Sequence, residues 1–180
     1  GPGYGGSCFP KDTLALVETS RINKTNISIV ETVVKYNQQR KYDMADKIIG
    51  ILKNDYENKK VSILGLSFKP ETDDMRESPC LDIIPRLQEK GIKISAFDPI
   101  AMDQAKKLLK NVDFAKDLKS CLIDSDALVV LTEWNEFRSL SPSQLTGIMK
   151  GNKIIDLRNA LNSNIFNRSD FDLIQIGRSR

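Results

Sequence analysis

The sequence predicts an α/β protein built on a doubly wound parallel sheet, and three observations lead there. Short apolar runs recur from about residue 60 to the end of the chain. Stretches with apolar residues at helical spacing separate them, so strands alternate with helices. That alternation requires crossover connections, which a parallel sheet with helices on both faces supplies. Ahead of it stand a Gly/Pro-rich loop and one long helical pattern, so two regions are expected, 1–58 and 59–180.

Taken in order, GPGYGGSCFPKD at 1–12 reads as a loop and residues 13–21 as a short helix, with a turn over Asn23 to Asn26. Ser28 with Glu31 fits a capping box opening a long helix. Val30, Val33, Val34, Met44, Ala45, Ile48, Ile49 and Leu52 give that helix its stripe. It exceeds 20 residues, or roughly 30 Å. Such a stripe is covered either by a partner or by the helix's own domain, and both readings stand. VSILGL (61–66) is a buried strand; Ser78-Pro79 caps the next helix, with Leu81, Ile84 and Leu87 inward, Pro85 as an expected kink and Gly91 as its end. KISAFDP (93–99) is a second strand, followed by a helix over Met102 to Leu109, an edge element at Val112–Phe114 and a helix over Leu118 to Ile123. ALVVLT (127–132) is a fully apolar strand and Pro142 to Met149 a helix; KIIDL (153–157) and DLIQIG (172–177) close the sheet.

The 180 residues, 40% apolar and 28% charged, are enough to bury roughly two thirds of the unfolded surface without disulfides or metal. A net charge of +3 is too small to argue for nucleic acid. With no histidine there is no Ser-His or Cys-His pair and no His-ligated zinc. Cys8, Cys80 and Cys121 form no CxxC, which suits a reducing, cytoplasmic setting. No run reaches the ~18 apolar residues of a membrane span, and the N-terminus is no signal peptide. The chain opens on Gly1 in mid-motif and is expected to be a piece of something longer.

Ligands of open parallel sheets bind beyond the carboxyl ends of the strands. Those ends carry Phe68-Lys69, Asp98-Pro99, Thr132-Glu133-Trp134 and Asp156-Leu157-Arg158, a set suited to a ring bearing phosphates. Gly1, Gly3 and Gly6 spell G-x-G-x-x-G, a poor dinucleotide fingerprint because no strand precedes it. A loop that lets backbone N–H groups approach a ligand is the better reading, a plain flexible terminus the other. Cys8 and Asp12 lie four apart across a helix start, with Pro10 in the first turn. A thiol there beside Lys11 gains thiolate character, and Asp12 could deprotonate a water; a buried structural Cys with a helix-start acid is the alternative. Cys80 and Cys121 read as core. In GLSFKPETDDMRESP (65–79), Lys69 and Arg76 could hold phosphates near the helix start at Ser78, while Asp73 and Asp74 read as solvated or paired with Arg76 rather than as a metal site.

Together GPGYGGSCFPKD, GLSFKPETDDMRESP, FDP (97–99), LTEWNEF (131–137) and IIDLRN (154–159) resemble the nucleotide-sugar 6-dehydrogenases, the UDP-glucose/GDP-mannose dehydrogenase family. The resemblance implies a Rossmann-like C-terminal domain that binds the UDP-sugar at 59–180. It implies a Cys loop and a homodimerising helix near residues 28–53, and an N-terminal NAD-binding domain that lies before Gly1. It implies oxidation of a sugar C6 alcohol to the acid with two NAD+, here UDP-glucose to UDP-glucuronate, toward polysaccharide precursors. Cys8 would form a thiohemiacetal and then a thioester, and Asp12 would assist the water that releases the acid. Tyr4, Gly5, Phe68, Lys69 and Arg158 match substrate-binding positions, and Lys11 and Arg76 the cofactor side. The catalytic residues upstream of Gly1 are missing, so the chain alone is expected to be inactive. GDP-mannose or a UDP-N-acetylhexosamine remains an alternative substrate, and a non-catalytic nucleotide-binding or dimerisation module an alternative function.

Overall fold

A computed structural model describes residues 1–53 and 56–178. Residues 1–8 form a loop that runs into α1 (Phe9–Ile22), and α2 (Ser28–Leu52) follows. The alternating region then runs β1 (Lys60–Leu64), α3 (Cys80–Gln88), β2 (Lys93–Phe97), α4 (Met102–Leu108), β3 (Val112–Phe114) and α5 (Leu118–Leu122). It continues through β4 (Ala127–Val130), α6 (Asn135–Arg138), α7 (Pro142–Leu145), β5 (Lys153–Asp156), α8 (Ser163–Phe166) and β6 (Asp172–Gln175).

Among the described residues the six strands are all parallel, in the order β3-β2-β1-β4-β5-β6. This is the expected doubly wound, Rossmann-like sheet. The order reverses between β1 and β4, so the chain leaves their carboxyl ends in opposite directions and opens a crevice there. Side chains of one strand alternate between the two faces. Val61, Ile63 and Val129 therefore join Ile83, Ile84, Leu87, Met44, Ala45 and Ile48 on one face. Leu64, Leu128, Val130 and Ile154 join Phe137, Phe166, Leu145 and Cys121 on the other. Each fully buried Ile, Leu or Phe contributes about 1.5–3 kcal/mol, and the two-sided core explains why β4 is apolar throughout.

Several local expectations change. α1 starts at Phe9, four residues early, because Pro10 is already suited to a first turn. Ser28 is the first residue of α2, and no side chain caps that helix; Asn26 Oδ1 accepts the Ser28 N–H instead. Ser78 does not cap α3: it is buried and donates to Leu66 O at 2.7 Å, as Cys80 Sγ does at 3.0 Å. Pro85 sits inside α3 on its exposed side, away from the core. α7 stops at Leu145, and α6 and α8 are single turns with no periodic signal of their own.

The long helix divides in two. Its second half packs on α3 and the sheet through Met44, Ala45, Ile48 and Leu52. Its first half leaves Ile29, Val33 and Tyr36 exposed, beside Phe9, Leu14, Leu16 and Ile22 of α1. The same-domain reading is right for residues 41–52; in the first half, Val30 and Val34 are half-buried, while Ile29, Val33 and Tyr36 stay exposed among the described residues.

Candidate active site

Two loops that are far apart in sequence form one unit. Gly6 N donates to Arg76 O at 2.8 Å, and Phe68 N closes the second loop onto Asp74 O at 3.1 Å. A Cβ on Gly5 would collide with the Glu77 carbonyl, and one on Gly6, at φ +93, would come within 2.7 Å of the Phe68 ring. Glycine is therefore needed at both positions by the close approach of the second loop, where the sequence had suggested the approach of a ligand. Glu77 itself holds φ 54°, a left-handed conformation that costs a non-glycine residue on the order of 1 kcal/mol.

Beside this unit lies an open cleft of about 720 Å³. Its walls include Tyr4, Gly5, Phe68, Lys69 and Arg158, so the five residues expected to meet a substrate line one space. Lys69 Nζ lies 5.5 Å from the centre of the Phe68 ring. Glu133 grips Arg158 through Nε and, at 2.9 Å, Nη2, while Nη1 faces Gly1. Burial alone would raise the Glu133 carboxyl, but the bonds and charge of Arg158 outweigh it and hold it below the usual range. The floor comes from α2, in Val33, which belongs to the predicted stripe, and in Tyr36, Asn37 and Arg40, which periodicity did not single out. Asn37 clamps Tyr4 by both backbone groups, Tyr4 N at 2.8 Å and Tyr4 O at 3.1 Å, and Arg40 Nε donates to Gly1 O at 3.1 Å. The signal that could have found Asn37 is its polar side chain on the face of α2 that carries Met44 and Ile48.

Cys8 occupies the N-cap of α1 and is exposed; Asp12 N donates to Cys8 O at 2.8 Å, which sets the two residues one turn apart. Lys11 Nζ lies 2.7 Å from Asp12 Oδ1, with both side chains largely in solvent. The hydrogen bond to Asp12 raises the Lys11 pKa. Arg76 is bonded through Nε and Nη2 to Asp74, whose carboxyl is held below its ordinary range by that guanidinium. The bond from Gly6 N to Arg76 O brings the Arg76 loop beside the loop that leads into Cys8. Cys8, Lys11, Asp12 and Arg76 are not among the residues that line the cleft.

One expectation about the strand tips is corrected. Trp134 is buried, and its Nε1–H donates to Asp98 Oδ2 at 3.2 Å, so its ring is core rather than a ligand platform. Asp98 is equally structural: it also accepts from Leu66 N, Ser67 N, Ile100 N and Ala101 N. Asp156 plays the same part for Arg158 N, Leu161 N and Gln175 Nε2.

Comparison with known proteins bears on the family and the fold. Residues 62–163 match the UDP binding domain of the UDP-glucose/GDP-mannose dehydrogenase family, and residues 1–39 match its central domain. The UDP-glucose 6-dehydrogenase of Rhizobium meliloti (strain 1021) is 44% identical over 178 residues, covering 99% of this chain and 41% of that protein. A UDP-glucose dehydrogenase structure from Pyrobaculum islandicum superposes with a TM-score of 0.75 at 30% identity, over 87% of this chain and 34% of that one. An NDP-N-acetyl-D-galactosaminuronic acid dehydrogenase from Methanosarcina mazei Go1 gives 0.84 at 25% identity, over 99% and 39%. The chain thus spans about two fifths of the length of the curated relatives it matches.

Proposed function

The chain belongs to the UDP-glucose/GDP-mannose dehydrogenase family, and we propose that it is the C-terminal part of an NAD-dependent UDP-glucose 6-dehydrogenase. In this reading residues 1–58 carry the nucleophile and a dimerising helix, and residues 59–180 hold UDP. The observation that carries it is the meeting of Tyr4, Gly5, Phe68, Lys69 and Arg158 around one cleft, with the exposed Cys8 three residues beyond Gly5 in the same loop. UDP-glucose is preferred over GDP-mannose because relatives at 35–44% identity bear that name.

Lys69 and Arg158 supply two cations for a diphosphate, and Glu133 orients the Arg158 fork so that its remaining edge is presented rather than mobile. Tyr4 and the Gly5 backbone bound the sugar. NAD, when bound, accepts the hydrides that the sugar C6 loses. The exposed guanidinium of Arg76 and ammonium of Lys11 fit a dinucleotide's phosphates, being solvent-facing. Cys8 Sγ adds to the aldehyde-level carbon, forming the C–S bond of a thiohemiacetal and, at the acid level, of a thioester. Asp12, one helical turn away, takes a proton from the water that breaks that bond. The exposed apolar face of α1 and the first half of α2 is the surface through which a second copy would pack.

The test is a full-length protein containing this chain, compared with its Cys8→Ser form. Turnover of UDP-glucose with NAD is expected to fall by at least two to three orders of magnitude, as for loss of a covalent nucleophile. Unchanged turnover would leave a binding module, and stronger competition by GDP than by UDP would move the substrate to GDP-mannose. The 180-residue chain alone is expected to reduce no NAD.

A further inference from the structure

Among the described residues, Lys41 is the one lysine that is essentially fully buried, at 1% exposure in the middle of α2. Its Nζ lies 2.8 Å from Asp82 Oδ2 in the first turn of α3 and 3.4 Å from Glu77 Oε2 in the loop before that helix. Gln38, one turn earlier on α2, donates to Asp82 Oδ1 at 2.9 Å. On the other side, the Lys41 stem packs against Gly3, where a Cβ would come within 3.1 Å of Lys41 Cγ. One side chain thus touches the Gly-rich loop, the second loop and α3.

Stability alone does not account for an ammonium at this place. Burying a charge is costly, and a buried ion pair is often matched or bettered by apolar side chains of similar volume. A Met would fill the same space and keep the contact with Gly3. What a Met cannot do is hold Glu77, a surface residue in a left-handed conformation whose carbonyl abuts Gly5 and whose neighbour Arg76 accepts the Gly6 N–H. Without that hold, Glu77 can relax toward ordinary dihedrals and carry Arg76 away from the Cys8 loop.

We propose that Lys41 is a positioning residue: through Glu77 it fixes the Arg76 loop against the Cys8 loop and thereby sets the affinity for the dinucleotide. The proposal rests on the reading that Arg76 meets NAD. Cleft residues held by other partners, Arg158 by Glu133 and Tyr4 by Asn37, lie outside its reach.

The experiment uses full-length protein with Lys41→Met, Lys41→Arg and Glu77→Gln. Glu77→Gln is included because Glu77 is largely exposed and its loss spares the core, whereas Lys41→Met could fail to fold. Amide hydrogen exchange in the peptide covering residues 1–8, where Gly6 is bonded to Arg76, is expected to speed up about tenfold in Lys41→Met and Glu77→Gln, with the β4 peptide unchanged. NAD affinity by calorimetry is expected to weaken about fivefold, UDP affinity to stay within about twofold, and Lys41→Arg to restore NAD binding. Wild-type exchange and NAD affinity in Glu77→Gln would overturn the proposal. So would parallel loss of NAD affinity, UDP affinity and melting temperature, which would reduce Lys41 to a structural tie. Failure of the wild-type protein to oxidise UDP-glucose with NAD would overturn the functional reading alone, since the exchange measurement still decides whether Lys41 holds the loops together.

Discussion

Asp98 shows how a residue at a strand tip can look like a ligand and act as a joint. Its carboxylate is wholly buried and accepts from four backbone N–H groups, the Ser67 hydroxyl and the Trp134 indole. It thereby ties the end of β2 to the turn after β1 and to the segment after β4. Asp98→Asn would set an NH2 against N–H donors, so a loss of about 3 kcal/mol is expected from urea unfolding. A loss below about 1 kcal/mol would mean the donors find other acceptors. Gly6→Ala acts differently, because its site is a contact between loops rather than the core. A Cβ there meets the Phe68 ring in a backbone conformation that L residues rarely adopt. The expected result is a fall of tenfold or more in UDP-glucose turnover by the full-length protein, with its melting temperature nearly unchanged. Equal activity in the alanine form would show that the loops need not touch.

The helices of this chain were legible in the sequence to the degree that their apolar stripes face the chain's own core. α2 was readable over its whole length because Met44, Ala45, Ile48 and Leu52 meet the sheet at helical spacing. Its capping was not, since Ser28 and Glu31 satisfy a local motif that Asn26 pre-empts from outside the helix. The α5 capping box of Asp117 and Ser120 went unread for the opposite reason, as Ser stands at the third helical position instead of Glu or Gln. In the candidate site the two loops were legible separately, through Cys8, Phe68, Lys69 and Arg76. Their joining was not, because it runs through main-chain atoms of Arg76 and Glu77 that leave no mark on residue type. The two halves of α2 also separate in energy. Ile48→Ala is expected to cost about 2–5 kcal/mol in urea unfolding. Ile29→Ala, at a position 80% exposed, is expected to leave stability of the separate chain within about 0.5 kcal/mol. If the first half of α2 is a dimer face, Ile29→Glu with Val33→Glu should shift the full-length protein toward monomer in sedimentation velocity. No shift would remove that face from the assembly.

At the scale of the whole molecule, the absence of histidine removes the group that usually titrates near neutrality. The pH dependence of stability is then set from its two ends. On the acid side, Asp46, Asp74 and Asp117 are lowered by the hydrogen bonds of Arg86, Arg76 and Ser120, and Glu133 is lowered by Arg158 against its own burial. Carboxyls lowered in the folded state contribute stability above their unfolded values, near pH 4, and lose it as pH falls through the folded values. On the alkaline side the two buried thiols act with the opposite sign. Burial pushes Cys80 up to about 12 and Cys121 up to about 11. In the unfolded chain both ionise near pH 8.5, so above that value the unfolded state releases protons that the folded state retains. Stability should therefore decline as pH rises above about 8.5, the two thiols steepening the fall until Cys121 begins to ionise in the folded state as well, near pH 11. Urea unfolding of the 180-residue chain from pH 7 to 10.5, repeated with Cys80→Ala and Cys121→Ala together, isolates their share. The double variant starts from a lower plateau, because it loses packing and the Cys80 bond to Leu66 O, but its curve should fall less steeply. Parallel curves would mean that the thiols ionise in the folded state as readily as in the unfolded one, and that they are not sealed in the core. Iodoacetamide supplies the same answer chemically: at pH 8 it should label Cys8 alone in the folded chain and all three cysteines in urea.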